Sequence, residues 1–290
     1  AIKKALVVGH GSIGIRHLTM FNTVFDYNID IAVLRRKTTE PFQFAKYFFD
    51  TASAKNWNPD FVIIASPSFT HANYISEFND KHLLVEKPAV TSEKHLDVIL
   101  QHNKEKLLQV GYNYRYHPEF IRLKNYLSEN NIKKLKLEHS DYLPNWHPWE
   151  DYRLSDVAKD GVGLTLCHGY DILFELFGKE LLSKASIHRQ TNLDIHKNTM
   201  NLGEAQLEKC LVNWEISCDN PNKHVFKIET TGYDNVKEVF DFNDLKYTRN
   251  DTFINQLKDV KRKIYAEFDY EKQTKKEYER AKEIITICKL

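Results

Sequence analysis

Three glycines near the start of the chain have the spacing of a loop that binds a phosphorylated ligand. The stretch ALVVGHGSIGIRH, residues 5–17, carries the pattern G-x-G-x-x-G after a short apolar run, and apolar side chains recur at helical intervals beyond it. The free N–H groups and the dipole of a helix N-terminus favour anions. The pattern therefore predicts a strand, a tight turn and a helix that bind the diphosphate of a dinucleotide.

Each glycine of this loop has its own predicted role. The first permits the tight turn, the second lets the backbone approach the diphosphate, and the third lets the helix pack closely on the strand. A glycine-rich turn without a ligand is the alternative interpretation. The residues predicted to bind the cofactor here are Gly9, Gly11, Ser12, Ile13 and Gly14.

Two arginines predict which dinucleotide is bound. Sites for NAD usually carry an acidic residue about 20 residues further on, at the end of the second strand. This chain instead has LRRK at residues 34–37, with Arg35 and Arg36. An arginine there pairs with a 2′-phosphate and stacks on adenine, so we expect NADP(H) rather than NAD(H), two ordinary surface arginines being the alternative. Arg16 and His17 are expected to add positive charge at the diphosphate.

A lysine and a histidine have the chemistry that proton transfer to a substrate requires. Lys87, in LLVEKPAV, directly follows an apolar strand, where it can bind a substrate hydroxyl group or share its proton. His168 and Asp171 are three residues apart and therefore lie on one helix face. Histidine titrates near neutrality and suits exchange of a proton with an alcohol or carbonyl. A solvent lysine, and a structural histidine with a capping or core hydrogen bond, are the alternatives.

The elements that position these residues alternate in the first third of the chain. Short apolar runs and helical patterns in turn predict βαβ units around a parallel sheet. Ligands of such sheets bind beyond the carboxyl ends of the strands, where three loops carry polar residues. The loops are residues 66–68, 86–88 and 112–115. We predict strands at 5–8, 29–34, 61–65, 83–86 and 107–111, and helices at 13–24, 42–49, 70–79 and 92–103.

The pattern changes after about residue 118. A helix is predicted at 119–130, followed by strand segments at 134–140, 185–189, 204–217 and 225–231, a pattern typical of an open, mainly antiparallel sheet. The charged end, residues 253–290, has a helical period with a solvated face. We therefore predict an α/β protein with a dinucleotide-binding Rossmann domain at 1–118 and an α+β domain for substrate binding and oligomerisation at 119–290.

Composition excludes several classes of protein. The 41 basic and 40 acidic residues give a net charge of +1, which does not favour nucleic acid as a partner. Apolar runs are much shorter than the roughly 20 residues of a membrane span, and the one after Lys3-Lys4 breaks too early for a secretion signal. The four cysteines form no C-x-x-C pair, so we expect no metal site, no disulfides and a cytoplasmic location.

Five motifs in order resemble one oxidoreductase family. Together they are similar to the glucose-fructose oxidoreductase / inositol dehydrogenase (Gfo/Idh/MocA) family, over residues 5 to about 178. The motifs are Gly9-x-Gly11-Ser12-Ile13-Gly14-x-Arg16-His17, Ser66-Pro67-x-x-x-His71, Glu86-Lys87-Pro88, Gly111-Tyr112-Asn113-x-Arg115-x-His117-Pro118 and His168-x-x-Asp171.

The resemblance implies a nicotinamide-dependent enzyme that oxidises or reduces a sugar or cyclitol. It implies that Lys87 and His168 lie around the substrate carbon and the nicotinamide, with Asp171 as the carboxylate that follows. It adds Ser66, Pro67, His71 and Glu86 to the cofactor-binding residues, together with Lys87. It also implies a homodimer or homotetramer formed through the C-terminal sheet.

One loop indicates the substrate class. YLPNWHPWEDYR, residues 142–153, resembles members associated with bacterial surface-sugar biosynthesis. Aromatic faces stack on sugars and arginines hold phosphate or carboxylate groups, so we expect substrate contacts from Tyr114, Arg115, Trp146 and Arg153. Ordinary packing and surface charge are the alternative.

The chain departs from the family at one point. Many members have a glycine triplet and then an Asp three or four residues before the histidine, where this chain has Thr165 and Leu164. We predict that Thr165 binds the substrate at this position. The missing carboxylate favours an alternative, a catalytically silent dinucleotide-binding sensor, and an imine or pyrrole-type reductase is the alternative among enzymes.

Overall fold

A six-stranded parallel sheet forms the centre of the first of two structural units. The computed structural model describes residues 1–25, 27–36 and 44–290. In five of its strands nearly every residue is buried, as in sheets covered by helices on both faces. The strands are β1 Lys4–Val8, β2 Asp30–Leu34, β3 Lys46–Phe48, β4 Phe61–Ile64, β5 His82–Val85 and β6 Leu108–Val110. Their order, β3-β2-β1-β4-β5-β6, is that of a Rossmann fold, so the predicted parallel sheet is confirmed.

Most helices are short, and two longer ones lie at the end of the chain. The helices are α1 Ser12–Val24, α2 Thr51–Asn56, α3 His71–Glu77, α4 Asp97–Leu100, α5 Pro118–Glu129, α6 Asp156–Asp160, α7 Val162–Thr165, α8 His168–Phe177, α9 Lys179–Lys184, α10 Arg249–Tyr265 and α11 Tyr270–Ile287. Within the described part of the chain, none of them combines the length and the hydropathy needed to cross a lipid bilayer.

The second unit contains a mixed sheet with one covered face. Its strands are β7 Ile132–Ser140, β8 Ala185–Gln190, β9 Met200–Gln206, β10 Leu211–Ser217, β11 Val225–Gly232 and β12 Lys237–Asp241. They lie in the order β12-β11-β7-β10-β9-β8, and only β7 and β10 pair in parallel. Burial alternates along β11, so the predicted mainly antiparallel sheet with one covered face is confirmed.

The two units are not two continuous segments. Residues 1–113 and 249–282 form the first unit, and residues 114–248 and 283–290 form the second. The predicted domains, 1–118 and 119–290, thus differ from these units mainly in residues 249–282, which belong to the first unit. Leu257 and Val260 of α10 are buried in the same core as Leu18 and Phe21 of α1. Helical period reveals such an apolar face, but it does not reveal which core the face joins.

Two sequence predictions of local structure are wrong. The helix predicted at 42–49 is contradicted by β3, which pairs in parallel with residues 32–34, although residues 42 and 43 lie outside the described residues. Aromatic residues favour strands, and Tyr47 and Phe48 occupy this one. The single strand segment predicted at 204–217 is the hairpin of β9 and β10, which closes through a hydrogen bond from Leu207 N to Cys210 O of 3.0 Å.

Candidate functional site

The glycine loop is closely packed at two of its three glycines. Gly9 has φ +100°, a left-handed conformation that favours glycine, and an added Cβ would lie 2.7 Å from the carbonyl oxygen of Ala65. At Gly14 an added Cβ would overlap the carbonyl oxygen of Gly9. The turn therefore packs on the loop after β4, and α1 packs on the turn.

The middle of the loop is open and fits a dinucleotide. A Cβ at Gly11 would meet no heavy atom of the described residues within 4 Å. Gly11 is also the N-cap of α1, with no side-chain cap and no acidic residue in the first turn. Because glycine has no side chain to cap the helix, the first-turn N–H groups, which begin at Ser12 and Ile13, can bind an anion. These residues fit the diphosphate group of a dinucleotide.

His71 ties together two loops that carry predicted site residues. Pro67 precedes a 3-10 turn at residues 68–70, and α3 begins directly after it with His71. The Nδ1 atom of the buried His71 ring is 2.7 Å from the Pro88 oxygen, and its Nε2 atom is 2.9 Å from the Ser66 oxygen. Both oxygens only accept, so the ring satisfies both when each nitrogen carries a hydrogen. The loops after β4 and β5 are thereby held at a fixed spacing.

Glu86, the residue before Lys87 in the chain, forms a buried salt bridge with His17. The Nε2 atom of His17 is 2.7 Å from Oε1 of Glu86, and the side chain of His17 is fully buried. The sequence predicted that His17 would add charge at the diphosphate. In the structure its side chain is instead buried in the core. Burial raises the pKa of Glu86, but the hydrogen bond from His17 and the charges of His17, Lys87 and His71 outweigh it and hold the pKa below its usual value. Gly111 leaves room for this carboxylate, which an added Cβ would approach to 3.1 Å.

We expect Glu86→Gln to lower stability more at neutral pH than in acid. A carboxyl group whose pKa is lower in the folded than in the unfolded chain stabilises the fold at pH values above its unfolded pKa. That contribution is lost as the pH falls through the folded pKa. Wild type should exceed the variant by about 1.5–3 kcal/mol in the free energy of unfolding at pH 7. Urea titrations at pH 7 and pH 3.5 measure the difference, which should shrink in acid.

The control for this prediction is Glu77→Gln. Glu77 pairs with Lys55 at 2.8 Å, but both side chains are exposed, so no comparable loss is expected. A difference for Glu86→Gln that is the same at both pH values would contradict the assigned ionisation of Glu86.

Arg35 and Arg36 both follow β2. In this fold, residues after the second strand contact the ribose 2′-position of a bound dinucleotide. Arg36 is exposed, whereas Arg35 is partly buried and its guanidinium contacts His10 of the glycine loop at 3.0 Å. His10 occupies a variable position of G-x-G-x-x-G, so the motif alone did not reveal this contact. A histidine beside the glycines and an arginine after β2 were the only signals in the sequence.

The second unit brings together the predicted catalytic residue His168 and three predicted substrate-binding residues. His168 is the first residue of α8, is 5% exposed, and its ring packs edge-on against Tyr114 with centroids 4.7 Å apart. Arg115 donates to both carboxylate oxygens of Asp171, at 2.9 and 2.6 Å, and its Nε atom is 3.5 Å from Glu175. A bidentate ion pair of this kind fixes the side chains of Arg115 and Asp171.

We expect Arg115→Ala to destabilise the protein strongly. The side chain of Asp171 is only 2% exposed, so removal of its partner leaves a buried carboxylate without its ion pair. Breaking a buried pair in this way costs about 3–5 kcal/mol in the free energy of unfolding, which urea titration measures. Arg153→Ala is the matched control, because Arg153 pairs with Asp151 in solvent and should have no measurable effect. Equal stability of the two variants would refute the structural role of Arg115.

The remaining predicted substrate residues have other surroundings. Trp146 lines a cavity of about 330 Å³ with Leu143 and Tyr152. Arg153 pairs with Asp151 at 2.9 Å and with Asp194 at 3.4 Å. Thr165 ends α7 and donates to the carbonyl oxygen of Gly161 at 3.1 Å.

The His-Pro dipeptide of the fourth motif has a structural explanation. His117 is the N-cap of α5, where its Nδ1 atom accepts from the Glu119 N–H group at 3.0 Å, and Pro118 is the first helical residue. Burial lowers the pKa of His117, which keeps the ring neutral and able to accept. In residues 1–25, 27–36 and 44–290, no group of three or more His, Cys, Asp or Glu could hold a metal ion.

Known structures share this fold over nearly the whole chain. GenD2 from gentamicin A biosynthesis, in complex with NAD, is 15% identical with a TM-score of 0.76, and the match covers 96% of this chain and 92% of that chain. For the scyllo-inositol dehydrogenase of Lactobacillus casei the identity is 16%, the TM-score is 0.76, and the coverages of this chain and of that chain are 99% and 95%. For the WlbA dehydrogenase of Thermus thermophilus, in complex with NAD and UDP-GlcNAcA, they are 20%, 0.69, 97% and 94%.

Sequence comparison finds one family model that matches the first part of the chain. No curated protein sequence matches the chain significantly. Residues 3–114 match the family model described as "Oxidoreductase family, NAD-binding Rossmann fold", that of Gfo/Idh/MocA. The match covers the glycine loop, the loops after β4 and β5, and Lys87. The resemblance predicted from the five motifs is thus confirmed, and residues 3–114 are similar to the NAD-binding part of the Gfo/Idh/MocA oxidoreductase family.

Proposed function

We propose that the protein transfers a hydride reversibly between NADP(H) and a secondary hydroxyl or keto carbon of a sugar or nucleotide sugar. The observation that carries the proposal is the open backbone at Gly11, at the uncapped start of α1 and beside the central strand of a Rossmann sheet. A bound nicotinamide supplies or accepts the hydride. The chain itself supplies binding, orientation and the proton.

Lys87 and His168 are the catalytic residues of this proposal. Lys87 binds the substrate oxygen and polarises it; it is a half-buried residue of the loop after β5 and directly follows Glu86, which His17 holds. His168 takes up or releases the hydroxyl proton. The edge-on packing of Tyr114 supports a fixed orientation of the histidine ring.

The remaining predicted site residues have binding or positioning roles in the proposal. Arg115 and Asp171 position the cluster that contains His168. We assign sugar contacts to Tyr114, Trp146, Arg153 and Thr165, and cofactor contacts to Ser66, Pro67, Arg35 and Arg36, with His71 and Glu86 holding the loops in place. Arginine rather than an acidic residue after β2 supports NADP(H).

A sugar substrate is supported by two observations. The neighbours in fold include an enzyme of gentamicin A biosynthesis, an inositol dehydrogenase and a dehydrogenase bound to UDP-GlcNAcA. The loop at residues 142–153, which resembles that of surface-sugar enzymes, lines a cavity through Trp146 and Tyr152. We therefore propose a role in surface-glycan biosynthesis, in a reducing cytoplasm where the four cysteines stay free thiols.

We also propose a homodimer or homotetramer formed through the second sheet. The strands of this sheet alternate between buried residues on the covered face and more exposed residues on the other, as along β11 and β10. Size-exclusion chromatography with light scattering measures the oligomeric state.

The proposal is tested by following nicotinamide absorbance while a panel of sugars, nucleotide sugars and their keto forms is offered with NADP⁺ or NADPH. Turnover of one member identifies the substrate class. Turnover only of cyclic imines would instead establish the imine or pyrrole-type reductase. Tight NADPH binding without turnover of any member would contradict the enzyme and favour the silent sensor.

A further inference from the structure

Three side chains of the first unit form a hydrogen-bonded chain beside the glycine loop. His10 lies between Gly9 and Gly11, Arg35 follows β2, and Tyr47 lies in β3. The Arg35 Nη1 atom is 3.0 Å from Nδ1 of His10, and the Tyr47 hydroxyl is 3.3 Å from Nε2 of the same ring. The rings of His10 and Tyr47 also pack edge-on, with centroids 5.8 Å apart. We call these three residues the His10 bridge.

The chemistry of arginine decides the tautomer of the histidine. A guanidinium group only donates, so Nδ1 of His10 accepts and the proton of the neutral ring is on Nε2, directed at the Tyr47 oxygen. Burial and the charge of Arg35 lower the pKa of His10. The ring is therefore neutral at pH 7 and keeps its accepting nitrogen.

The bridge determines where the guanidinium of Arg35 lies. In the sheet, Val8 pairs with Leu34, so the residues that follow each strand, Gly9 and Arg35, leave the sheet side by side. The Arg35 N–H group donates to Phe48 at 3.0 Å, which fixes its backbone, and His10 holds its side chain against the glycine loop. One guanidinium N–H group contacts His10, and a guanidinium has further N–H groups of the kind that bind phosphate.

We infer that His10 is a positioning residue that sets selectivity for a 2′-phosphorylated dinucleotide by holding the guanidinium of Arg35. The inference rests on the proposed NADP(H) preference and extends it to a residue of the glycine loop itself. An unheld arginine side chain would lose rotamer freedom whenever it bound the phosphate. The bridge has already restricted that freedom, so Arg35 binds the 2′-phosphate more tightly.

The test compares the dissociation constants of NADP⁺ and NAD⁺, measured by isothermal titration calorimetry, in wild type and variants. In His10→Ala the NADP⁺ constant should rise about tenfold, with the NAD⁺ constant changed less than about twofold. His10→Gln keeps an accepting oxygen and should retain most of the selectivity. Thermal unfolding establishes that each variant is folded.

A double-mutant cycle shows whether His10 acts through Arg35. If it does, Arg35→Ala removes the selectivity, and adding His10→Ala to that variant changes the NADP⁺/NAD⁺ ratio no further. If Arg35→Ala changes the ratio and His10→Ala does not, the inference is overturned while the NADP(H) proposal stands. An unchanged ratio in Arg35→Ala overturns both. Equal weakening of both cofactors in His10→Ala also overturns the inference, because it assigns His10 to the glycine loop in general.

Discussion

Alanine in place of Lys87 or His168 should reduce kcat by about 10²–10⁴-fold on the substrate that the panel identifies, the usual contribution of a positioned acid or base. Lys87 is the residue after Glu86, whose carboxylate His17 fixes at 2.7 Å, and His168 begins α8 beside Tyr114. Because His168 lies in the second unit, outside the nucleotide-binding strands, its variant should bind NADPH as tightly as wild type. Steady-state kinetics and fluorescence titration of NADPH measure the two quantities.

Two exposed residues provide matched controls. Lys94→Ala and His188→Ala remove the same chemical groups from solvent-facing positions and should retain wild-type kcat. If the His168→Ala variant turns over at the wild-type rate, the proton-transfer role assigned to this histidine is wrong. If kcat and NADPH affinity fall together in it, the histidine supports the fold rather than the reaction.

Alanine at Gly14 should lower stability and alanine at Gly11 should not, although both should weaken cofactor binding. A methyl group at Gly11 meets no heavy atom of the described residues within 4 Å, so the fold should be unchanged while the diphosphate is pushed away. At Gly14 the methyl group overlaps the backbone oxygen of Gly9, which cannot move aside as a flexible side chain would. Overpacking of this kind costs about 1–3 kcal/mol or more.

The measurements are the dissociation constant of NADPH and the unfolding temperature without cofactor. Gly11→Ala should weaken NADPH binding about 10- to 100-fold, and its unfolding temperature should equal that of wild type. Each tenfold change in the dissociation constant corresponds to about 1.4 kcal/mol of binding free energy. Gly14→Ala should weaken binding and lower the Tm by several degrees. Wild-type NADPH affinity in Gly11→Ala would contradict the assignment of this loop to the diphosphate.

Much of the first unit was predictable because its contacts are between neighbouring elements of the chain. Apolar runs of four or five residues, separated by helical patterns, predicted five of the six parallel strands, and the glycine spacing predicted the turn into α1. The strand β3 was missed, since three residues, Lys46–Phe48, are too short for a period to be read. In the second unit β12 was missed, and the hairpin of β9 and β10 was predicted as one segment.

The sequence by itself determined the residue types that a dinucleotide loop requires, because that loop is built from residues close together in the chain. Only the tertiary structure decided the pairs that hold the candidate residues: His17 with Glu86, Arg115 with Asp171, and Arg35 with His10, which are 69, 56 and 25 residues apart. It also decided that α10 joins the first unit. The reason is physical: periodicity reports which face of an element is apolar, whereas the partner of a charged or apolar group depends on which distant segments the packing brings together.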